Sequence, residues 1–444
     1  MTQALTLAVG QGVATGTYAL RVKATGGSLT KTADLTLTVT AAPAVSQVTL
    51  TVQDPGNVGY TLAYQVGSGN WTALTHSADN TYTLNLTSDD KYGVAVFCGA
   101  RVLKIIQATA TEVPNPRVTC SNPSSSPRYV SYTLNLDLSQ TGAQQGDMVS
   151  VFVDSPPGQS EIINDPGNTS VNLRVPEGTY DLLVAVYRND PNNPNNYPIS
   201  AEVLKNITLS EGGSSSHTLG APLGTNTVTV NNVPSGLFRG GYVLFTNNNN
   251  VPLGFIGFDQ SNTITYRQVR GFGPGDKYLL VFFAQDDPSN PNPRVQCQYI
   301  KVFSGGDVNL SLPNPWSPGS LTITDAPHPT VQGLNRTEAG LRAYAFTFGR
   351  YNDWRFRFNV VVTKGWLGTA TSYTVPDLSG LLNYTPFANG DYVQASVYAA
   401  FSPTALTPEE VWLTDPSVLT DSTDISFAIV NGSYTVGGGS IQLP

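Results

Sequence analysis

The chain has 444 residues, of which 40% are apolar and only 12% charged, with 42 Gly, 31 Pro and 10% aromatic residues. That balance excludes a disordered chain and fits several domains made of short strands joined by turns. A formal net charge of −8 with no offsetting Lys/Arg cluster argues against nucleic acid as a partner, and no run of about 18 apolar residues could span a bilayer.

Residues 1–40 read as strands only, within a first segment over 1–43. LTLAV, GTYALRVKATGG and KTADLTLTVT alternate apolar with polar, and a Gly-Gly turn between the last two predicts a hairpin. The opening MTQALTLAVGQGVATG has no basic n-region and no continuous apolar h-region, so it does not read as a secretory signal. The remainder looks extracellular, which places the expected export signal upstream of this start. Ala41-Ala42-Pro43-Ala44 then reads as a linker.

Three similar units follow, over 44–123, 124–222 and 223–316. Each runs through alternating strands and closes on a polar turn and a short Thr/Ser-rich strand, as in Glu211-Gly212-Gly213 before SSSHTL and Gly305-Gly306-Asp307 before VNLSL. Units two and three share an insertion, NDPNNPNN and DDPSNPNP, whose Pro and Asn density forbids strand and predicts a stiff protruding loop. A longer unit over 317–444 carries YAFTF, WRFRFNVVV, YVQASVYAAF, a short helix predicted at Pro408–Trp412, and ISFAIV.

One phrase recurs: a turn ending in Gly or Asp, then a Tyr, then an alternating strand. It occurs at Asp90-Lys91-Tyr92, Gly178-Thr179-Tyr180, Gly275-Asp276-Lys277-Tyr278 and Gly390-Asp391-Tyr392, with a fainter copy at Gly16-Thr17-Tyr18. A period of roughly 90–110 residues means one module reused. Each Tyr is expected to pack its ring in a core and bond its hydroxyl back to the backbone. The fold class predicted is all-β, a tandem array of antiparallel β-sandwich domains.

QALTLAVGQGVATGTYALRVKATGGSLTKTADLTLTVTAAP resembles the last three strands of an Ig-like domain of exported bacterial surface proteins. The resemblance implies that residues 1–40 are an incomplete sandwich. In unit four, YTVPDLSGL followed by Asp391-Tyr392-Val393 resembles the strand E to strand F passage of fibronectin type III domains, which implies a sandwich and no chemistry.

No catalytic constellation emerges. No Gly-x-Ser-x-Gly stands in a strand-to-helix context, and His76, His217 and His328 fall in different units. Calcium is a candidate ligand through Asp190, Asp286 and Asp287 in the twin Asn/Pro loops, although their spacing fits no known loop code. Cys98 and Cys120 could form a disulfide, or all three cysteines could be buried thiols. Aromatics beside turns, namely Trp71, Tyr351, Trp354 and Trp366, are candidate recognition surfaces, with Trp354 reading rather as core beside Phe356 and Phe358, and Trp366 equally readable as core.

The function expected is a non-catalytic extracellular or cell-surface protein, a rod of domains with a structural, spacer or adhesive role. Its partners would be a cell-surface polymer, a glycan or other protein subunits. The alternatives are a carbohydrate-binding surface protein, and a subunit of an extracellular filament or virion assembly joined by strand complementation through residues 1–40.

Overall fold

The computed structural model describes residues 13–14, 16–26, 29–39, 47–86, 90–121, 127–153, 158–189, 197–290, 293–351, 353–412 and 419–444. The alternation at the start of the chain produces a hairpin, β1 (Gly16–Gly26) and β2 (Leu29–Val39), paired in register from Gly16↔Val39 to Gly26↔Leu29.

Seven strands come next: β3 (Gln47–Gln53), β4 (Tyr60–Val66), β5 (Thr72–Leu74), β6 (Thr81–Asn85), β7 (Lys91–Cys98), β8 (Val102–Thr109) and β9 (Arg117–Thr119). Seven more are β10 (Tyr129–Asp137), β11 (Met148–Phe152), β12 (Gln159–Ile162), β13 (Thr169–Pro176), β14 (Gly178–Tyr187), β15 (Ser200–Leu209) and β16 (Gly213–Thr218). A third set is β17 (Thr225–Asn231), β18 (Phe238–Thr246), β19 (Pro252–Asp259), β20 (Thr263–Arg267), β21 (Lys277–Gln285), β22 (Val295–Phe303) and β23 (Val308–Ser311).

All three sets are wired alike. The fourth, first and seventh strands form one sheet, as in β6-β3-β9, β13-β10-β16 and β20-β17-β23. The third, second, fifth and sixth form the facing one, and the seventh always joins the first in parallel. Immunoglobulin constant domains divide their strands differently, ABED against CFG.

The rest of the chain forms β24 (Thr322–Ile323), β25 (Thr330–Gln332), β26 (Leu341–Arg350), β27 (Asp353–Thr363), α1 (Lys364–Leu367), β28 (Ser372–Thr374), α2 (Ser379–Leu382), β29 (Tyr392–Phe401), α3 (Pro408–Trp412), β30 (Asp424–Thr435) and β31 (Ile441–Gln442). The sequence pictured a rod of successive bodies, and here the structure departs from it. Twelve strands make one continuous sheet in the order β19-β18-β21-β22-β30-β29-β26-β27-β8-β7-β4-β5. The last body sits in the middle, joined antiparallel to the third through β22–β30 and parallel to the first through β8–β27.

Burial explains why these strands join. In β7, Val94 and Val96 face the first body's own core, while Ala95 and Phe97 face the central core with Phe346, Phe358 and Val360. A strand covered on both faces reads as an unbroken apolar run, as GVAVFC does. The second body joins by its flat face. Leu183, Ala185, Ala201 and Val203 pack into the third body's cluster, and Lys205 bridges Asp181 (3.0 Å) and Asp276 (2.6 Å) across the junction.

The recurring Gly-Asp before a strand is one turn used repeatedly. Gly146, Gly275 and Gly390 hold φ of 93°, 87° and 86°, the conformation a type II turn requires at its third position. The following Asp closes each turn, its amide donating to Gln144, Gly273 and Ala388 respectively.

Cys98 and Cys120 are joined by a disulfide across a 22-residue separation, with Cα atoms 5.1 Å apart. Cys297 is a buried thiol whose pKa is pushed up to about 12 by burial. In the chain-entropy account the bridge contributes roughly 3 kcal/mol. Cys120→Ser is therefore expected to lower the urea midpoint accordingly, and an unchanged midpoint would rule that contribution out.

Candidate functional site

The aromatic candidates separate by environment. Tyr351 is 51% exposed and meets Tyr392 edge to face at 5.4 Å, Tyr392 being 44% exposed. Trp366 instead packs against the central core, 6.1 Å from Tyr373, with Lys91 Nζ 5.9 Å from its ring centre. Trp71 is also packed there, and a Cβ on Gly93 would come within 2.8 Å of its ring. The side chain of Trp354 lies outside the described residues. Tyr392 was expected in a core together with Tyr92 and Tyr278. The latter two are buried, the Tyr92 hydroxyl donating to Val113 O (2.7 Å) and the Tyr278 hydroxyl accepting from Val269 N (3.2 Å), whereas Tyr392 points out and its hydroxyl meets Ser433 Oγ (2.5 Å).

Asp190 lies outside the described residues. Asp286 accepts from Val295 N (3.2 Å) and pairs with Arg294 (3.4 Å). Asp287 accepts from the amide and hydroxyl of Ser289, and that hydroxyl holds its pKa below the usual carboxylate range. Both carboxylates thus serve the local turn, and among the described residues no group of three or more acidic, His or Cys side chains could hold a metal ion.

Of the histidines, His76 lies tilted against Tyr60 with ring centres 4.7 Å apart, and His328 lies 3.2 Å from the Tyr384 hydroxyl and 3.4 Å from Asp377. His217 meets Ser215 Oγ (3.0 Å), two residues away on β16, and burial lowers its pKa. Among the described residues no carboxylate is hydrogen-bonded to its ring, so the pair lacks the third group that would orient a base.

A half-open cleft of about 1500 Å³ lies at the seam between β8 and β27. Its floor follows from register. Arg357 is opposite Val102 and Asn359 opposite Lys104, so these four side chains share one face of the sheet. Arg117 and Thr119 of β9 form one wall, Arg101 sits at the mouth, and α3 forms the other wall.

The placement of α3 is local chemistry. Thr407-Pro408-Glu409-Glu410 is a capping box with Pro at the first helical position. The Glu410 carboxylate accepts from Thr407 N (2.9 Å), and Glu410 N donates to Thr407 Oγ1 (3.3 Å). Thr423 Oγ1 also donates to Glu410 (2.7 Å), so that carboxylate is fully engaged. Val411 drops into the apolar cluster on the sheet, which leaves Glu409 turned to the cleft.

Glu409 is 5% exposed and its Oε1 has no hydrogen-bond partner; burial pushes its pKa up to about 7, against the pull of Arg117 and Lys104 and with the push of Glu410. Lys104 is 8% exposed, donates to Thr119 O (2.6 Å) and lies 5.3 Å from the Trp412 ring centre. Burial, and then Arg357 beside it, lower its pKa to about 8. Arg357 Nε and Asn359 Oδ1 are also buried without partners. None of these residues was singled out from the sequence. The only local signal was the TPEE cap, consistent with the short helix expected there.

The fold is thus all-β, with three like-wired sandwiches braced on a fourth body. No protein-family model matches the chain, and no curated protein matches it. Solved structures similar to it include a Bacteroides ovatus protein named as a candidate adhesin (10% identity, 45% of this chain and 100% of that one, TM-score 0.18). Others are a Bacteroides uniformis protein named as a candidate carbohydrate-binding protein (10%, 69% and 98%, TM-score 0.13) and the Streptococcal ancillary pilin (11%, 70% and 96%, TM-score 0.15). At these scores the likeness bears on neither topology nor function.

Proposed function

We propose that the chain is a non-catalytic extracellular or cell-surface protein with a structural or adhesive role. The observation that carries this reading is the twelve-stranded sheet, because bodies that share hydrogen-bonded ladders cannot swing as beads on linkers. The Cys98–Cys120 disulfide suits an oxidising compartment. A non-catalytic role is favoured because, among the described residues, neither Glu409 nor Lys104 is hydrogen-bonded to a hydroxyl or thiol that could act as a nucleophile. Pulled from its ends, the chain is expected to resist as one braced body before it yields. A series of equal, independent unfolding peaks would contradict the structural role. Labelling intact source cells with a membrane-impermeant reagent tests the location, and recovery of unlabelled protein from the cell interior only would overturn it.

Two alternatives each have an observation in their favour. The β1–β2 hairpin pairs with no third strand among the described residues, so its outer edges are open to strand addition in a filament or virion assembly. Monomers in light scattering, for the full chain and for one lacking residues 1–43, would remove that reading. The exposed Tyr351–Tyr392 pair favours glycan stacking, which a polysaccharide pull-down with Tyr392→Ala addresses.

A further inference from the structure

The seam cleft collects four cations that form no ion pair among the described residues. Lys104 and Arg357 come from adjacent strands onto one sheet face, and burial first, then the charge of Arg357, lowers the pKa of Lys104. Arg101 and Arg117 extend the cluster to the mouth and one wall. Among the described residues, no side chain forms an ion pair with Arg101, Lys104, Arg117 or Arg357. The two acidic side chains at the rim are already engaged. Asp54 accepts from Val58 N, Gly59 N and Ser121 Oγ, and Asp79 from Ser77 Oγ and Thr81 N. Holding like charges together over buried orphans such as Arg357 Nε and Glu409 Oε1 costs folding free energy that nothing in the described protein returns.

We propose that this cleft binds a polyanionic saccharide chain, with its carboxylate or sulfate groups held by the guanidinium groups of Arg101, Arg117 and Arg357. The planar fork of Arg matches either oxyanion in a bidentate way. Amide and hydroxyl groups of Asn80, Asn115 and Thr420 on the lining suit the hydroxyls between the charges. Among the described residues no aromatic side chain lines the cleft, so those residues offer nothing on which nucleobases could stack. The lining also carries Val52, Pro55, Val58, Val102 and Leu419, so an acidic peptide is the competing occupant that the polyglutamate arm of the test separates. The site is separate from the Tyr351–Tyr392 pair and does not depend on the structural reading.

The acid and base in the cleft set a pH dependence. Glu409 faces Arg117, Lys104 and Glu410, and it is neutral below about pH 7. In that form it can donate to a sugar hydroxyl. As pH rises, Glu409 gains negative charge, and through about pH 8 Lys104 loses its positive charge. Both changes weaken anion binding.

The test measures binding of the full chain to polygalacturonate, dextran sulfate, neutral dextran, polyglutamate and single-stranded DNA at low salt. Either or both of the acidic saccharides are expected to bind, and which one does identifies the anion, while neutral dextran is not held. Arg101→Gln and Arg117→Gln lie at exposed positions where folding is not at stake, and each is expected to weaken binding about tenfold. Affinity should fall between pH 6 and pH 8.5, and Glu409→Gln should bind more tightly than the parent at pH 8.5. Failure of both acidic saccharides to bind would overturn the assignment, as would undiminished binding by both Arg variants or equal affinity for polyglutamate or DNA.

Discussion

Phe358→Ala is expected to destabilise the protein by about 3–5 kcal/mol, the range for removing a fully buried aromatic ring. Phe358 has no exposed surface, and its ring centre lies 4.8 Å from Phe387, 5.4 Å from Phe356, 5.9 Å from Tyr384 and 6.0 Å from His328. The upper part of the range applies for two reasons. Edge-to-face contacts are lost in addition to buried area. The site also lies between the twelve-stranded sheet and the β28-β25-β24-β31 sheet, whose ladders prevent the walls from closing over the gap. Urea unfolding should show a lower midpoint with an unchanged slope. Phe358→Leu keeps much of the volume and should cost far less. A loss below about 1 kcal/mol for Phe358→Ala would mean that the two sheets are not packed as described.

The contrast between Tyr278 and Tyr392 shows what the sequence made legible and what it did not. The repeated phrase correctly signalled a strand preceded by a Gly-Asp turn, and the turns at Gly275 and Gly390 are alike. In Gly275-Asp276-Lys277-Tyr278 the Tyr is the second residue after Asp; in Gly390-Asp391-Tyr392 it is the first. Side chains in a strand alternate between faces, so one residue fewer turns the ring outward and gives the inward place to Val393, which is fully buried. The offset was present in the sequence, although similarity of the phrase concealed it.

The strand-rich class and the alternation within each sandwich are local properties, and periodicity carried them. The unbroken apolar runs in β7 and β8 also signalled that both faces are covered, but a run cannot name its second neighbour. The partner of β8 is β27, some 250 residues further along the chain. The cleft depends on that pairing. Lys104, Arg117, Arg357 and Glu409 come from four elements, β8, β9, β27 and α3, and only the tertiary fold brings them together. Arg357 closes the densest basic stretch of the sequence, from Arg342, which is interleaved with aromatics and also carries Asp353. Its significance comes from Lys104 across the seam.

The same seam contains a buried polar chain whose disruption should have the second-largest effect. The Tyr373 hydroxyl donates to Gln107 Oε1 (2.6 Å), Gln107 Nε2 donates to Gln65 Oε1 (2.8 Å), and Gln65 Nε2 donates to Gly69 O (2.7 Å). Burial raises the Tyr373 pKa far above the ordinary phenol value, so the hydroxyl keeps its proton and acts as an obligatory donor to the first body. Gln107→Leu leaves two buried groups, the Tyr373 hydroxyl and Gln65 Oε1, without their partner. At about 1–3 kcal/mol for each orphaned group, the cost should be near 3 kcal/mol. Tyr373→Phe orphans only Gln107 Oε1 and should cost about half as much. In the double variant the hydroxyl and the amide are removed together, so its loss should fall short of the sum of the single losses by at least about 1 kcal/mol. Strict additivity would mean that the two residues do not touch, and that the first body is not joined to the central one through this face of β8.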